Sequence, residues 1–154
     1  MIVILNKKQK EQLINEINQY FDSEFSTDDE IFLTQQNKIY LITKEALMLP
    51  LEKLKIRNMG MYFGQKIGKE IRLSVGGSNI ILKTANKRVI EINNKQLELL
   101  KNDRIKIEEF FDKNVENIWY GFNIIKFQNF ALGCIRITKE EIINYISKSR
   151  RHWL

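Results

Sequence analysis

The sequence predicts an α+β fold whose N-terminal part is an antiparallel sheet with helices. Between Lys8 and Phe21, apolar residues recur every three or four positions, which is the spacing of an amphipathic helix. Two short runs rich in β-branched residues, Ile31–Leu33 and Ile39–Ile42, follow this helix. The polar segment Thr34–Lys38 joins them, so the pair is predicted to form a β-hairpin.

A second helix and a second pair of strands are predicted next. The hydroxyl of Thr43 can cap a helix that ends before Pro50, because proline disfavours helical geometry in the residue before it. The segments Met59–Phe63 and Glu70–Val75 have strand composition, and Gly64–Lys69 is predicted to connect them.

The glycine pair Gly76–Gly77 is interpreted as the end of a strand. Ser78 or Asn79 can then cap a helix that runs to about Asn86. The glycines match neither of the common phosphate-binding loop patterns, and a plain strand-to-helix turn is favoured over an anion site on the exposed N–H groups.

A boundary between two domains is predicted near the basic pair Lys87–Arg88, dividing the chain into residues 1–86 and 87–154. In the second part, Asn93 or Asn94 caps a predicted helix through Leu100, and Gln128–Asn129 is a predicted turn. Thr138 with Glu141 resembles a capping box, which predicts a helical tail over 139–147. The predicted strands are Val89–Ile92, Ile105–Ile107, Ile118–Tyr120, Ile124–Phe127 and Leu132–Ile137.

The composition argues against an enzyme. Cys134 is the only cysteine and His152 the only histidine, too few for a structural zinc site. Because His152 lies near the C-terminal end, where chains usually fray, we interpret it as a solvated residue and not as the base of a Ser–His–Asp or Cys–His set. The adjacent carboxylates of Glu108–Glu109 and Glu140–Glu141 suggest solvated side chains and not an acid–base pair. We therefore predict no catalytic residue, no metal, no cofactor and no small-molecule substrate.

The sequence also predicts a cytoplasmic protein, or a nuclear or nucleolar one in a eukaryote. Its apolar runs are far shorter than the roughly 20 residues that span a bilayer, so no membrane partner is expected. Met1–Leu5 is apolar but lacks the basic flank and the cleavage site of a signal peptide.

Positive charge is concentrated in the second half of the chain. The net charge is +6, of which residues 1–86 carry +2 and residues 87–154 carry +4. The segments 117–139 and 142–154 contain no acidic residue, whereas Asp22, Glu24 and Asp28–Glu30 form an acidic cluster near the N-terminus. This asymmetry favours a polyanionic partner at the C-terminal end.

The region 110–130 combines aromatic residues with the cations Lys113 and Lys126. Exposed aromatic rings beside cations would be stacking platforms for RNA bases. Because a small β-rich domain needs aromatic residues in its core, most of these rings are predicted to be buried. The aromatic residues of this region include Phe111, Trp119, Tyr120, Phe122 and Phe127.

Several segments together resemble the archaeal and eukaryotic ribosome-biogenesis factor called nuclear import protein seven. These are residues 38–49, with a tyrosine-containing strand and a Thr-capped helix, then 59–66, with Gly60, Phe63 and Gly64, and 71–75. Further on, 121–125 and 131–133 resemble the hairpin of the family's RNA-binding PUA domain, although Ala131 stands in place of its proline.

The resemblance implies a C-terminal PUA-type β pseudo-barrel that binds RNA, no catalytic activity, and a role in assembling the large ribosomal subunit. Pre-ribosomal RNA and other assembly proteins are the implied partners. Combined with the charge distribution, it predicts seven phosphate-contacting cations: Arg136, Lys139, Lys148, Arg150, Arg151, Lys126 and Lys87.

Two alternatives stay open from the sequence. The chain would be an accessory PUA module of an RNA-modifying enzyme if it associated with a methyltransferase or pseudouridine synthase. It would be a protein–protein adaptor if its positive charge were incidental and it bound no RNA.

Overall fold

A computed structural model describes residues 2–49, 60–111 and 118–151 of the 154-residue chain. Within these ranges the fold is α+β, with two five-stranded sheets and six helices. The strands of the first sheet all precede residue 74, and those of the second all follow residue 88. The predicted boundary near Lys87–Arg88 lies between the two sheets along the chain. That it separates two independent domains stays a prediction.

The first sheet is antiparallel throughout, with its strands side by side in chain order. This confirms the antiparallel sheet and the hairpin that were predicted from the β-branched runs. Its strands are β1 (Val3–Ile4), β2 (Glu30–Leu33), β3 (Lys38–Ile42), β4 (Met61–Ile67) and β5 (Glu70–Leu73).

Helix α1 (Lys7–Phe21) covers this sheet with the predicted apolar stripe, in which Leu13, Ile17 and Phe21 are buried. The side chain of Asn6 accepts a hydrogen bond from the Gln9 backbone amide, and the side-chain oxygen of Gln9 accepts one from the Asn6 backbone amide, so a capping box begins the helix. The helix ends where Asp22 adopts a left-handed conformation, with φ of 48°.

The loop between β4 and β5 is shorter than the sequence predicts. The strand continues through Gly64 to Ile67, and only Gly68–Lys69 turns the chain, with Gly68 at φ of 60°. Gly64 lies within this strand, where the backbones of β4 and β5 approach closely. A Cβ at this position would lie 2.4 Å from the backbone oxygen of Arg72, which explains why the residue is glycine. Met59, the predicted start of the strand, lies outside the described residues.

Helix α2 (Lys44–Leu47) is capped by Thr43 as predicted, whereas helix α3 (Val75–Leu82) begins earlier than predicted. The hydroxyl of Ser74, and not that of Ser78, caps α3 by accepting a hydrogen bond from the Gly77 amide at 3.0 Å. The interpretation of Gly76–Gly77 as a break before the helix is therefore wrong, because both glycines lie in its first turn.

The second sheet is mixed. Its order is β6-β8-β9-β10-β7, and only the β6–β8 pair is parallel. In the described ranges these strands form an open sheet with β6 and β7 at its edges, and no closed barrel. The strands are β6 (Val89–Glu91), β7 (Arg104–Lys106), β8 (Gly121–Phe127), β9 (Phe130–Ile137) and β10 (Glu141–Asn144).

Three short helices accompany the second sheet: α4 (Asn94–Leu99), α5 (Ile107–Phe110) and α6 (Lys148–Arg151). Asn93, one of the two predicted caps, begins α4 in a capping box with Gln96. The predicted helical tail over 139–147 is wrong, because this segment contains β10, which pairs with both β9 and β7. The Thr138 hydroxyl instead closes the turn into β10 by accepting from the Glu141 amide at 3.1 Å.

The two sheets share one hydrophobic core. Phe122, Ile124 and Cys134 of the second sheet pack in the same buried cluster as Ile17 and Phe63 of the first part. A second cluster around Leu100, Ile135 and Ile142 lies entirely within the C-terminal half. The helices and sheets therefore bring the end of α1 and the strand β5 against the start of β8.

Candidate nucleic-acid interface

The seven cations predicted to contact RNA differ in their exposure. Lys87, Lys139, Lys148 and Arg150 are exposed, whereas Lys126, Arg136 and Arg151 are partly buried. Exposed cations meet a phosphate most readily, so the first four are the better placed for RNA.

Arg136 lies between the two sheets and is engaged by a carboxylate. Its Nε and Nη2 atoms donate hydrogen bonds of 3.2 and 3.1 Å to one carboxylate oxygen of Glu70 in β5. Its guanidinium carbon also lies 6.0 Å from the ring centre of Phe122. The geometry therefore gives Arg136 a role in joining β5 to β9, beside any contact with a phosphate.

Arg151 is held even more closely, with only 10% of its side chain exposed. It donates to the Asp103 carboxylate at 2.5 Å, to the Ile146 carbonyl at 2.9 Å and to the Asn144 carbonyl at 3.2 Å. These three contacts fasten helix α6 to the end of β10 and to the loop before β7.

The carboxylate of Asp103 is the acidic partner in this contact. The hydrogen bond from Arg151 is the main cause that lowers the pKa of Asp103, and the charge of Lys148, whose Nζ lies 3.7 Å away, lowers it further. Since the folded state favours the ionised form, Asp103 contributes stability above its ordinary pKa of 3.8 and loses it as the pH falls through the lower folded value.

We expect Asp103→Asn to remove this part of the acid sensitivity and to loosen α6. The measurement is the free energy of unfolding by urea from about pH 6 to about pH 3, for the original chain and the variant. The original chain should lose more stability than Asp103→Asn as the pH falls. Parallel curves for the two proteins would contradict the assignment.

A row of cations and aromatic rings, which the sequence analysis did not assemble, lies where the two sheets meet. We call it the seam and define it by six residues: Arg72, Lys87, Arg88, Trp119, Tyr120 and Tyr145. At one end, the Lys87 ammonium and the Arg88 guanidinium lie 5.1 and 5.7 Å from the ring centre of Trp119. Trp119 is 43% exposed and Tyr120 is 56% exposed, so these two rings of the region 110–130 lie outside the core, whereas Phe111 and Phe122 are buried.

Arg88 connects this end of the seam to the core. Its guanidinium stacks 3.9 Å from the ring centre of Tyr20 and donates to the Tyr120 carbonyl at 2.5 Å. The hydroxyl of Tyr20 in turn accepts from the Phe122 amide at 3.0 Å. Burial raises the pKa of the Tyr20 hydroxyl above its usual value of 10, so it stays a neutral partner at physiological pH.

The backbone beneath Trp119 and Tyr120 is fixed from inside the protein. The Asn123 side chain is buried, and its amide donates to the carbonyls of Trp119 at 2.8 Å and of Gly121 at 3.0 Å. Gly121 has φ of +95°, and a Cβ there would lie 2.4 Å from a carboxylate oxygen of Glu70. The segment 119–121 is thus held in one conformation, which only glycine at position 121 permits.

The other end of the seam repeats the pairing of a cation with an exposed ring. The guanidinium of Arg72 lies 5.2 Å from the ring centre of Tyr145, which is 40% exposed. The Tyr145 ring packs edge-to-face on Phe122, with 5.1 Å between ring centres and 66° between planes. Phe122 therefore connects the two ends, since its backbone binds Tyr20 and its ring supports Tyr145.

Other candidate chemistries find less support among the described residues. No group of three or more His, Cys, Asp or Glu side chains there is arranged to hold a metal ion. Burial raises the pKa of the Cys134 thiol to about 11. No helix in the described part of the chain combines the length and apolarity needed to cross a membrane.

Comparisons with known proteins add no assignment. Neither the protein-family models nor the curated proteins contain a match to this chain. The seam is therefore interpreted from its own geometry.

Lys87 is the only cation of the seam that the sequence predicts to contact RNA. The basic pair Lys87–Arg88 and the pair Trp119–Tyr120 were both visible, but they are separated by about thirty residues. They meet because β6 runs parallel to β8, with Val89 opposite Ile124. A parallel pairing leaves no local signal in the sequence, because the connection between its strands is long.

Proposed function

We propose that this protein binds RNA as an assembly factor of the large ribosomal subunit. One observation carries the RNA-binding part: two cations, Lys87 and Arg88, lie over the ring of an exposed tryptophan, Trp119. Exposed aromatic rings beside cations are the recurring means by which proteins hold RNA bases and phosphates together.

The charge distribution supports the same proposal. Lys139, Lys148 and Arg150 belong to the acid-free C-terminal segments and are exposed. Phosphate attraction needs no more than exposed positive charge, so these residues would extend the contact beyond the seam. Since phosphate contacts position a protein without reading sequence, the intrinsic sequence preference should be modest.

The role in ribosome assembly and the PUA-type architecture of the C-terminal half rest on the resemblance to nuclear import protein seven. A mixed sheet flanked by short helices is compatible with that architecture, and its open edge is the point of difference. Co-sedimentation of the tagged chain with large-subunit precursors, in cells that express it naturally, tests this role. Association with an RNA methyltransferase or pseudouridine synthase instead would favour the accessory-module alternative.

RNA binding is tested by the salt dependence of affinity. We expect Lys87→Ala and Arg150→Ala each to weaken binding of a labelled oligoribonucleotide. Each should also flatten the plot of log affinity against log salt by about 0.7, the contribution of one phosphate contact to a single strand. Fluorescence anisotropy at several salt concentrations gives both quantities.

The matched control is Lys8→Ala. Lys8 is an exposed lysine in the first turn of α1, at the opposite end of the helix from Tyr20 and about 18 Å away along its axis. Its replacement should leave the slope unchanged. An original chain without salt-dependent RNA affinity would refute the proposal and favour a protein–protein adaptor.

A further inference from the structure

The seam has features of a site for bases, beyond a site for phosphates. Three of its rings expose two fifths or more of their surface, namely Trp119, Tyr120 and Tyr145. Burying a large aromatic ring is strongly favourable, so a small core would ordinarily absorb such side chains. Their position beside Lys87, Arg88 and Arg72 gives this surface the composition that fits a polyanion with flat apolar bases.

The backbone that carries each ring is also held in place before any ligand arrives. The backbone of Trp119 is bound by the buried Asn123, and that of Tyr120 by Arg88. The Tyr145 ring rests on the buried Phe122, and its backbone amide donates to the Cys134 carbonyl at 3.3 Å. A ring on a fixed backbone loses less conformational entropy on binding, so stacking against it retains more of its free energy.

At each end of the seam, cations lie beside an exposed ring. Lys87 and Arg88 lie over the Trp119 ring, and Arg72 lies over the Tyr145 ring. Phe122 lies between these two groups. A chain of nucleotides likewise presents a phosphate beside each base. In a duplex, however, each base is already stacked between its neighbours and presents no free face to a side chain.

We propose that the seam binds unpaired nucleotides by base stacking on Trp119 and on Tyr145, and that the protein thereby selects single-stranded over duplex RNA. This inference rests on the proposed RNA binding and names the substrate class of the same site. The cations beside each ring hold the phosphates that flank the stacked base.

The test compares single-stranded RNA with a duplex of the same sequence, both as competitors against a labelled single strand. The original chain should bind the single strand more tightly. Trp119→Ala should weaken single-strand binding roughly 5- to 150-fold, the range expected for one stacked base. The difference in affinity between single-stranded and duplex RNA should therefore become smaller. Trp119→Phe, which keeps a stacking ring, should restore most of the loss. Tyr145→Ala and Tyr145→Phe should behave in the same way.

Phe130→Ala is the matched control. Phe130 is 68% exposed, more than Trp119, but it lies beside the turn at the other end of the β8–β9 hairpin, away from Gly121. Its replacement should leave single-strand affinity unchanged. Thermal unfolding of each variant, followed by circular dichroism, shows that a lost affinity is not a lost fold.

A second readout follows the ring itself. The chain has two tryptophans, Trp119 and Trp153, so Trp153→Phe leaves Trp119 as the only indole. We expect its fluorescence to be quenched by single-stranded RNA and little affected by the duplex.

The two hypotheses fail in different ways. If the original chain binds neither RNA form, the proposed function itself is refuted. If it binds RNA but prefers the duplex, or if Trp119→Ala and Phe130→Ala give equal affinities, RNA binding stands and stacking at the seam is refuted.

Discussion

Gly77→Ala is expected to destabilise the protein by about 3 kcal/mol, the upper part of the range for overpacking a well-packed site. A Cβ on Gly77 would lie 2.1 Å from the backbone oxygen of Phe63 and 3.0 Å from its carbonyl carbon. Both atoms belong to the middle of β4, so no side-chain rotation relieves the clash and helix α3 has to move away from the sheet.

The affected carbonyl also anchors the start of α3. The Phe63 oxygen accepts hydrogen bonds from the Ser74 amide at 3.0 Å and from the Ser74 hydroxyl at 3.1 Å. The same hydroxyl caps the helix at the Gly77 amide. Moving the helix therefore weakens the cap together with the packing, and the cap alone is worth about 1 kcal/mol.

The neighbouring glycine provides the control. At Gly76 the nearest atoms to a new Cβ are side-chain atoms of Met61 at 3.7 Å, which is ordinary van der Waals contact. Gly76→Ala should therefore be neutral, or stabilising by up to about 1 kcal/mol through helix propensity. Urea unfolding of the two variants measures the contrast. Equal effects at positions 76 and 77 would contradict the close approach of α3 to β4.

Asn144→Ala is expected to cost about 3 kcal/mol, since it leaves two buried backbone groups, and a third that is partly buried, with one hydrogen bond fewer. The side-chain amide nitrogen of Asn144 donates to the Leu100 carbonyl at 2.6 Å and to the Asn102 carbonyl at 3.2 Å. Its oxygen accepts from the Ile146 amide at 2.9 Å. The side chain is buried and thus fixes the end of β10 to the segment that follows α4.

Asn102→Ala is the comparison for this substitution. The Asn102 amide also donates to a backbone carbonyl, that of Leu99, but it does so at the surface, where water replaces the lost contact. Its replacement should change the free energy of unfolding by less than about 0.5 kcal/mol. If the two asparagine variants were equally stable by urea unfolding, the buried network at Asn144 would not have the role given to it.

Local signals in the sequence predict a large part of this fold. The apolar stripe of α1, the β2–β3 hairpin and the caps at Thr43 and Asn93 all depend on residues within a few positions of each other. The helix and strand patterns are informative because a period of 3.6 or 2 residues places apolar side chains on one face of the element.

The errors arise where distant residues decide the outcome. Thr138 and Glu141 have helix-capping spacing, but β10 is selected because it completes ladders with both β9 and β7. Gly77 was interpreted as the end of a strand. Glycine is required there because a Cβ would clash with the carbonyl of Phe63, which is distant in sequence and close only in space. Tertiary pairing overrides local propensity in both cases.

The same limit applies to the cations. Composition located positive charge in the C-terminal half, and Lys87 and Arg150 are indeed exposed there. It gave no sign that Glu70 and Asp103 engage Arg136 and Arg151, because these partners lie 66 and 48 residues away along the chain. The seam was missed for the same reason.

The common core of the two sheets has a consequence for the order in which the protein is made. A ribosome releases the first sheet and α1 well before it synthesises β8 and β9. Until these strands emerge, Ile17 and Phe63 lack the cover that Phe122 and Cys134 provide in the finished protein. The nascent N-terminal half therefore carries an open apolar face until β8 and β9 have been synthesised and have packed against it.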